Sequence, residues 1–240
     1  LKRRGAGRID YRPNKKIASI LARTPAIDLL LEPPAVPAAD DMVFSVGDLP
    51  RLLGMTHAGQ IPPSIPLTPR KDAIEIMRHR LAELGPPPYL GITWRAGTAG
   101  KELALYKESS MTRMAEALRA LPVTILVVQR QPAPGEIEAF AQTLGRPVHD
   151  FSALNEYLEQ MLTLLALIDE YVGVSNTNMH LRAAVGKTAR VLVPAPPEWR
   201  WMAEGRTSPW FPGFTVYRQG YDGNWDTAFA ELAADLKSLS

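Results

Sequence analysis

The sequence predicts an α/β fold, a parallel sheet wound on both faces by helices. Three observations predict it. Past Pro69, short continuous apolar runs alternate with amphipathic segments of about ten residues. The runs are apolar throughout rather than at every second position, as strands buried on both faces must be. Glycine and proline mark nearly every change of period.

The first 70 residues read differently. Pro33, Pro34, Pro37, Pro62, Pro63, Pro66 and Pro69 cut them into short pieces. Between these, Ile27–Leu31 and Met42–Val46 read as short buried strands and Asp48–Leu53 as a brief helix. The arginine-rich start (Lys2, Arg3, Arg4, Arg8, Arg12) is either a contact for an anionic partner or an ordinary solvated end.

Beyond it, Ile74, Met77, Leu81 and Leu84 recur at helical spacing, closed by Gly85 and Pro86. Tyr89–Trp94 is a strand, Met111–Leu121 a helix, Val123–Val128 a strand and Glu136–Leu144 a helix ending at Gly145. Pro147–Phe151 is a short strand candidate, followed by a helix over Asn155–Ile168. Tyr171–Val174, Asn178–Val185 and Ala189–Val193 then read as strand, helix and strand. After Pro194 a loop rich in aromatics and proline leads to a last helix, Asp226–Leu239. Right-handed crossovers turn this alternation into a doubly wound, Rossmann-like domain over residues 70–240, preceded by a partial N-terminal segment, 1–69.

Composition narrows the function. A chain of 240 residues, 46% of them hydrophobic, can bury a core. A net charge of +2 supplies no basic stripe for nucleic acid. Cysteine is absent, which removes thiolate metal sites and suits a reducing cytoplasm. His57, His79, His149 and His180 lack ligand spacing, so no metal site is expected. No apolar run reaches the ~18–20 residues of a transmembrane helix, and no signal peptide is visible. The chain does not begin with methionine, which is compatible with sequence removed upstream and does not require it.

In a doubly wound sheet, ligands bind beyond the carboxyl ends of the strands. After Tyr171–Val174 come Ser175, Asn176, Thr177, Asn178, Met179 and His180. Small polar residues at a helix start offer N–H groups and hydroxyls to a diphosphate, though the same residues serve any helix as plain caps. After Tyr89–Trp94 come Arg95, Gly97, Thr98, Gly100, Lys101 and Lys107, glycines and cations suited to a leaving diphosphate or to an ordinary solvated loop. The spacing is neither a Walker A loop nor a dinucleotide fingerprint, and no serine-hydrolase elbow occurs. Gln129, at the end of Val123–Val128, has an amide able to read a nucleobase or the loop backbone. In Pro196–Trp210, which holds Glu198, Trp199, Arg200, Trp201 and Trp210, the Trp–Arg–Trp run either stacks on a base or sugar face or anchors the loop, and anchoring is the commoner use of aromatics.

Together these segments show a resemblance. Gly91-Ile92-Thr93-Trp94-Arg95-Ala96-Gly97, Val127-Val128-Gln129 and the stretch Leu164–Leu181 resemble the C-terminal domain of heptosyltransferase-like GT-B glycosyltransferases, those related to glycosyltransferase family 9. Pro197-Glu198-Trp199-Arg200-Trp201, Ser208-Pro209-Trp210-Phe211-Pro212 and Tyr217-Arg218-Gln219 resemble the ending of tetratricopeptide-repeat-associated bacterial members. The likeness runs from about Leu90 to Leu236, and loosely from Met42 to Leu67, which is similar to the end of the family's N-terminal, acceptor-side domain.

The resemblance implies a metal-independent transferase, with a nucleoside-diphosphate sugar as substrate and no cofactor. Its acceptor would be a glycan, a lipid or a protein, and tetratricopeptide repeats would share the polypeptide. The implied location is the cytoplasm, including the inner membrane's inner surface. Lys107, with Lys101 as rival, matches the family's phosphate-binding lysine. His180 and Leu181 keep the end of the family's diphosphate-binding turn, but Ser175 stands at its aspartate and Asn176 at its threonine. The family's catalytic base matches no residue here, and the chain is too short for both complete domains. A non-catalytic nucleotide- or sugar-binding module is the alternative, and an epimerase on the same fold a third reading.

Overall fold

The computed structural model describes residues 1–96 and 107–237. They fall into two compact units, Leu1–Thr68 and Pro69–Ser240.

The first unit has a two-stranded parallel ribbon, β1 (Asp10–Tyr11) with β2 (Leu29–Leu30), and two one-turn helices, α1 (Ala18–Leu21) and α2 (Leu49–Leu52). Only Ile20 and Thr24 are buried in it among the described residues. This corrects part of the sequence reading. Only Leu29–Leu30 of Ile27–Leu31 is strand, and Leu29 is exposed. Met42–Val46 forms no strand, with Met42 83% and Val43 68% exposed. Apolar residues become strands only where a sheet edge and a core receive them, and a two-residue ribbon supplies neither.

The second unit follows the predicted alternation. Helix α3 (Lys71–Ala82) precedes β3 (Tyr89–Thr93) and a small antiparallel pair, β4 (Arg95–Ala96) with β5 (Lys107–Glu108). Then come α4 (Met111–Leu118), β6 (Thr124–Val127), α5 (Glu136–Leu144), β7 (His149–Asp150) and α6 (Leu158–Leu167). The chain ends with β8 (Glu170–Val174), α7 (Thr177–Ala184), β9 (Arg190–Val193), β10 (Thr215–Arg218) and α8 (Asp226–Leu236). Two differences stand out. The helix expected from Asn155 is a 3₁₀ turn, Ser152–Glu156, until Tyr157 leaves helical geometry. Strand β10 lies where a loop was expected.

Six strands form one parallel sheet, in the order β10-β9-β8-β3-β6-β7. Read from the far edge, that is the third, second, first, fourth, fifth and sixth strand in chain order, the arrangement of the Rossmann fold. Side chains alternate between the faces. Leu90, Ile92, Trp94, Ile125, Val127, Val172, Val174, Leu192 and Tyr217 join Met114, Phe140, Phe229 and Leu232 in one buried cluster. Helices α4, α5 and α8 cover that face, while α3, α6 and α7 pack together as a second group.

The strand order reverses between β3 and β8, whose parallel pairing sets Thr93 opposite Gly173. The fit there is close. A Cβ on Gly173 would stand 2.7 Å from the Thr93 carbonyl oxygen, and one on Gly91 would stand 2.7 Å from Ile168 Cδ1.

Arg182, 1% exposed, ties α7 to the end of α6. Its guanidinium donates to the carbonyls of Leu165 (2.5 Å), Ile168 (2.8 Å), Asp169 (2.8 Å) and Thr188 (2.8 Å). Carbonyls at a helix C-terminus have no partner within the helix and attract a cation. Burial pushes the guanidinium pKa down to about 10, opposed by Glu170 and Asp169, so it stays charged at neutral pH. Arg182→Met should therefore lower unfolding stability by about 3 kcal/mol or more, since each buried carbonyl left unpaired costs ~1–3 kcal/mol. Urea denaturation measures it, and a loss under about 1 kcal/mol would show that water replaces the guanidinium freely.

Candidate functional site

A reversal of strand order opens a crevice at the carboxyl ends of the two strands that flank it. Here those ends are Thr93-Trp94-Arg95 of β3 and Val174-Ser175-Asn176 of β8.

The β3 end is held by Gln129, 1% exposed. Its Oε1 accepts from the amides of Trp94 (3.1 Å) and Arg95 (3.0 Å), and its Nε2 donates to the carbonyls of Arg95 and Arg130 (3.0 Å each). All four hydrogen-bonding positions of the amide are thus used on backbone. Of the two roles open to Gln129, the geometry takes the loop-backbone one and leaves no free edge for a nucleobase.

Arg95 is committed as well. It donates to both oxygens of Glu136 (2.9 and 2.7 Å), which also accepts from Trp94 Nε1 (2.8 Å) and the Ala133 amide (2.7 Å). Burial favours the neutral acid, but these hydrogen bonds outweigh it and hold the Glu136 carboxyl below the usual carboxylate range. Thr98 and Lys101 lie outside the described residues.

At the β8 end, Asn176 caps α7, its Oδ1 accepting from the Met179 amide at 3.1 Å. Beneath it is a buried polar chain. Tyr171 Oη lies 2.9 Å from Thr93 Oγ1 and receives the Asn176 amide at 3.1 Å. Asn178 Nδ2 donates to Asn155 Oδ1 (3.4 Å), and Asn155 Nδ2 donates to the carbonyls of Val128 (3.1 Å) and Ser152 (2.8 Å). Burial, only partly offset by hydrogen bonds from Thr93, Asn176 and Asn178, pushes the Tyr171 hydroxyl up to about 12, so it stays protonated. Ser175 and Asn178 are buried, Asn176 is half-buried and Thr177 is exposed. Thr177 is the first residue of the helix, beside its free N–H groups.

The third wall is the loop after β9. Lys107, at the start of β5, forms an ion pair with Glu198 Oε2, and Arg200 pairs with Oε1 of the same carboxylate. Lys107, Ser175, Pro194, Ala195, Pro196, Glu198 and Trp201 enclose a cavity of ≈ 130 Å³. Lys107, Ser175 and Glu198, remote in sequence, thus meet at one cavity. Burial and the neighbouring Arg200 lower the Lys107 pKa.

The aromatics divide by role. Trp201 is fully buried and stacked on Phe211 at 4.5 Å, a packing residue. Trp199 is 56% exposed, held edge-on by Trp210 at 4.8 Å. In the sequence Glu198 lies in an aromatic loop with no sign of a chemical role, and nothing marks Glu136, Asn155 or Tyr171. Glu198 and Lys107 are 91 positions apart and Glu136 and Arg95 are 41 apart, so no local spacing marks either pair.

Among the described residues, no group of three or more His, Asp or Glu could hold a metal ion, and no helix is long and apolar enough to cross a membrane.

Comparison with known proteins bears on the fold. No family model matches the chain. The protein FlbA of Caulobacter vibrioides is 24% identical over 178 residues, 72% of this chain and 29% of that protein, so the chain spans under a third of that relative. A family 9 glycosyl transferase from Veillonella parvula superposes with a TM-score of 0.55 at 10% identity, over 98% of this chain and 68% of that one. The ADP-heptose lipopolysaccharide heptosyltransferase II of Escherichia coli gives 0.51 at 15% identity, over 72% and 53%. The fold is therefore similar to that of GT-B enzymes of glycosyltransferase family 9.

His180 provides a check on the geometry. Its ring meets Phe211 edge-on at 5.1 Å and keeps an exposed side. Partial burial, then Arg200 and Lys107, push its pKa from 6.5 down to about 4. Removing water from an imidazole and placing two cations near it both oppose its protonation. Between pH 6.5 and 4 the unfolded chain binds this proton more readily, so the His180 contribution to stability is lost as pH falls through that window. An NMR titration should find His180 neutral at pH 6, with its midpoint rising toward 6.5 in Arg200→Ala. A midpoint already near 6.5 in the unaltered chain would mean the cations are not where the structure puts them.

Proposed function

We propose that the chain binds a nucleoside-diphosphate sugar at this crevice and forms the donor-binding part of a glycosyltransferase. One observation carries the reading. The capped N-terminus of α7, the Ser175 hydroxyl and Lys107 converge where the strand order reverses, the place at which this architecture receives phosphates. The fold similarity to two glycosyltransferases supports the same choice over other nucleotide-binding chemistries.

In this reading the α7 amides, Ser175, Asn176 and Thr177 take the diphosphate, and Lys107 offsets the charge that develops as it leaves. His180, kept neutral, can accept or donate one hydrogen bond to the donor without adding charge. Gln129 and Glu136 act indirectly, fixing the backbone that leads into the loop. An acceptor oxygen attacks the anomeric carbon, the bond from that carbon to the diphosphate oxygen breaks, and the diphosphate leaves with the electron pair. The acceptor's proton goes to a base that we place outside the residues described here. Because charge is offset by side chains and helix amides, the reaction is proposed to need no metal. The acceptor is a glycan, lipid or protein reached from the cytoplasm, and the remainder of the polypeptide is proposed to include tetratricopeptide repeats.

A second reading is favoured by one feature. Ser175 supplies no carboxylate to the turn, so the chain could hold a nucleotide without transferring sugar. Binding comes first in the test. UDP, GDP or ADP at a hundredfold excess over Kd should add about 2.7 kcal/mol of stability in a thermal-shift assay, undiminished by EDTA. No response to any of the three would defeat both readings. In the whole polypeptide, Lys107→Ala should lower transfer or donor hydrolysis by roughly 10²-fold or more while weakening binding less, by analogy with loss of an oxyanion donor. Binding without any turnover would leave the non-catalytic module standing.

A further inference from the structure

The cations that a diphosphate needs are already occupied. Lys107 and Arg200 end on the two oxygens of Glu198, whose side chain is 9% exposed, and Arg95 ends on both oxygens of Glu136. We propose that Glu198 is an internal anion seated where a ligand's diphosphate binds, so that binding is an exchange of one anion for another and selects diphosphates over singly charged groups. This deepens the donor-site reading and rests on it.

The charges favour an exchange over simple addition. Two cations and one carboxylate leave the cluster with one net positive charge, and His180 adds none because it is neutral. A single negative charge entering the cavity would satisfy one cation while facing Glu198, and like charges in a partly buried space repel strongly. A diphosphate carries enough charge and oxygen atoms to serve both cations at once. Glu198 can then turn outward, standing just before the short turn Trp199–Trp201 rather than within a helix or strand.

The cavity agrees with such a guest. Its volume of ≈ 130 Å³ suits one polar group of a ligand and falls well below the ~300–1,000 Å³ that encloses a whole one. Among the described residues, two buried donors on the same turn, Arg200 Nε and Trp201 Nε1, have no hydrogen-bond partner. Trp201 lines the cavity, and the same side chain carries the unpaired indole N–H. Buried donors left unpaired are costly, which makes an oxygen-rich guest favourable there.

The test is isothermal titration of the 240-residue chain with inorganic pyrophosphate, nitrate and ADP, GDP or UDP, in EDTA at low salt. Glu198→Gln should bind pyrophosphate and at least one nucleotide about tenfold tighter or more, on the scale of close charge-pair couplings. It should also take up nitrate, a singly charged anion, which the unaltered chain should not. Adding Lys107→Ala to Glu198→Gln should cancel the gain. Should Glu198→Gln fail to fold, Glu198→Asp, which withdraws the carboxylate by one methylene, should show a smaller gain of the same sign. Affinity for pyrophosphate that is unchanged or weaker in the folded variant overturns the exchange while leaving the donor site intact. No binding of any of these anions, by either the unaltered chain or the variant, overturns the donor-site reading and the exchange with it.

Discussion

The reversal of strand order between β3 and β8 is the constraint on which everything else depends. Parallel strands wound in one direction carry their connecting helices on the same face of the sheet, and only where the winding changes direction do two carboxyl ends stand beside an open crevice. The seam allows little variation. Gly173 leaves no room for a Cβ against the Thr93 carbonyl, Thr93 pairs with Gly173, and Tyr171 spans from β8 to Thr93 through its hydroxyl. The same hydroxyl reaches the residue that caps α7. The end of the sheet and the start of the helix are therefore one hydrogen-bonded unit, and a ligand above them meets a surface already fixed.

Charge is handled in a consistent way around that crevice. The residues entering and leaving the segment between β4 and β5 are cations, Arg95 and Lys107, and each is met by a carboxylate from another element, Glu136 from α5 and Glu198 from the loop after β9. Partly buried charges need such partners, because desolvation otherwise drives them neutral or exposed. The two pairs are not equivalent. Glu136 accepts four hydrogen bonds from three different groups and holds backbone as well as side chains, a structural anchor. Glu198 meets only cations and borders a cavity, which leaves it free to exchange.

Much of the large unit was legible because its signals are local. Gly145, with φ of 83°, closes α5 where the sequence placed its end. The runs around Leu90, Leu126 and Val172 read as strands buried on both faces, and they are. Strand β10 escaped notice because four residues at a sheet edge, paired on one side only, leave a weak period. Met42–Val46 misled in the opposite sense, since apolar content implies a strand only if something receives it. Of the site, the Ser175–His180 turn could be read from its polarity and position. Glu198, Glu136 and Tyr171 could not, because their roles arise from contacts across the sheet. Gln129 shows the limit most clearly. An amide after a strand fits two roles, and only the backbone around it decides between them.

The central claim is that ligand meets this protein at the joined ends of β3 and β8. Backbone amide chemical-shift mapping with a nucleoside diphosphate tests it most directly. The account predicts that the largest changes fall on Ser175 to Met179, on Lys107 and on the Glu198–Trp201 turn, with β6, β7 and α8 undisturbed. Changes centred elsewhere, or none at saturating nucleotide, would contradict it.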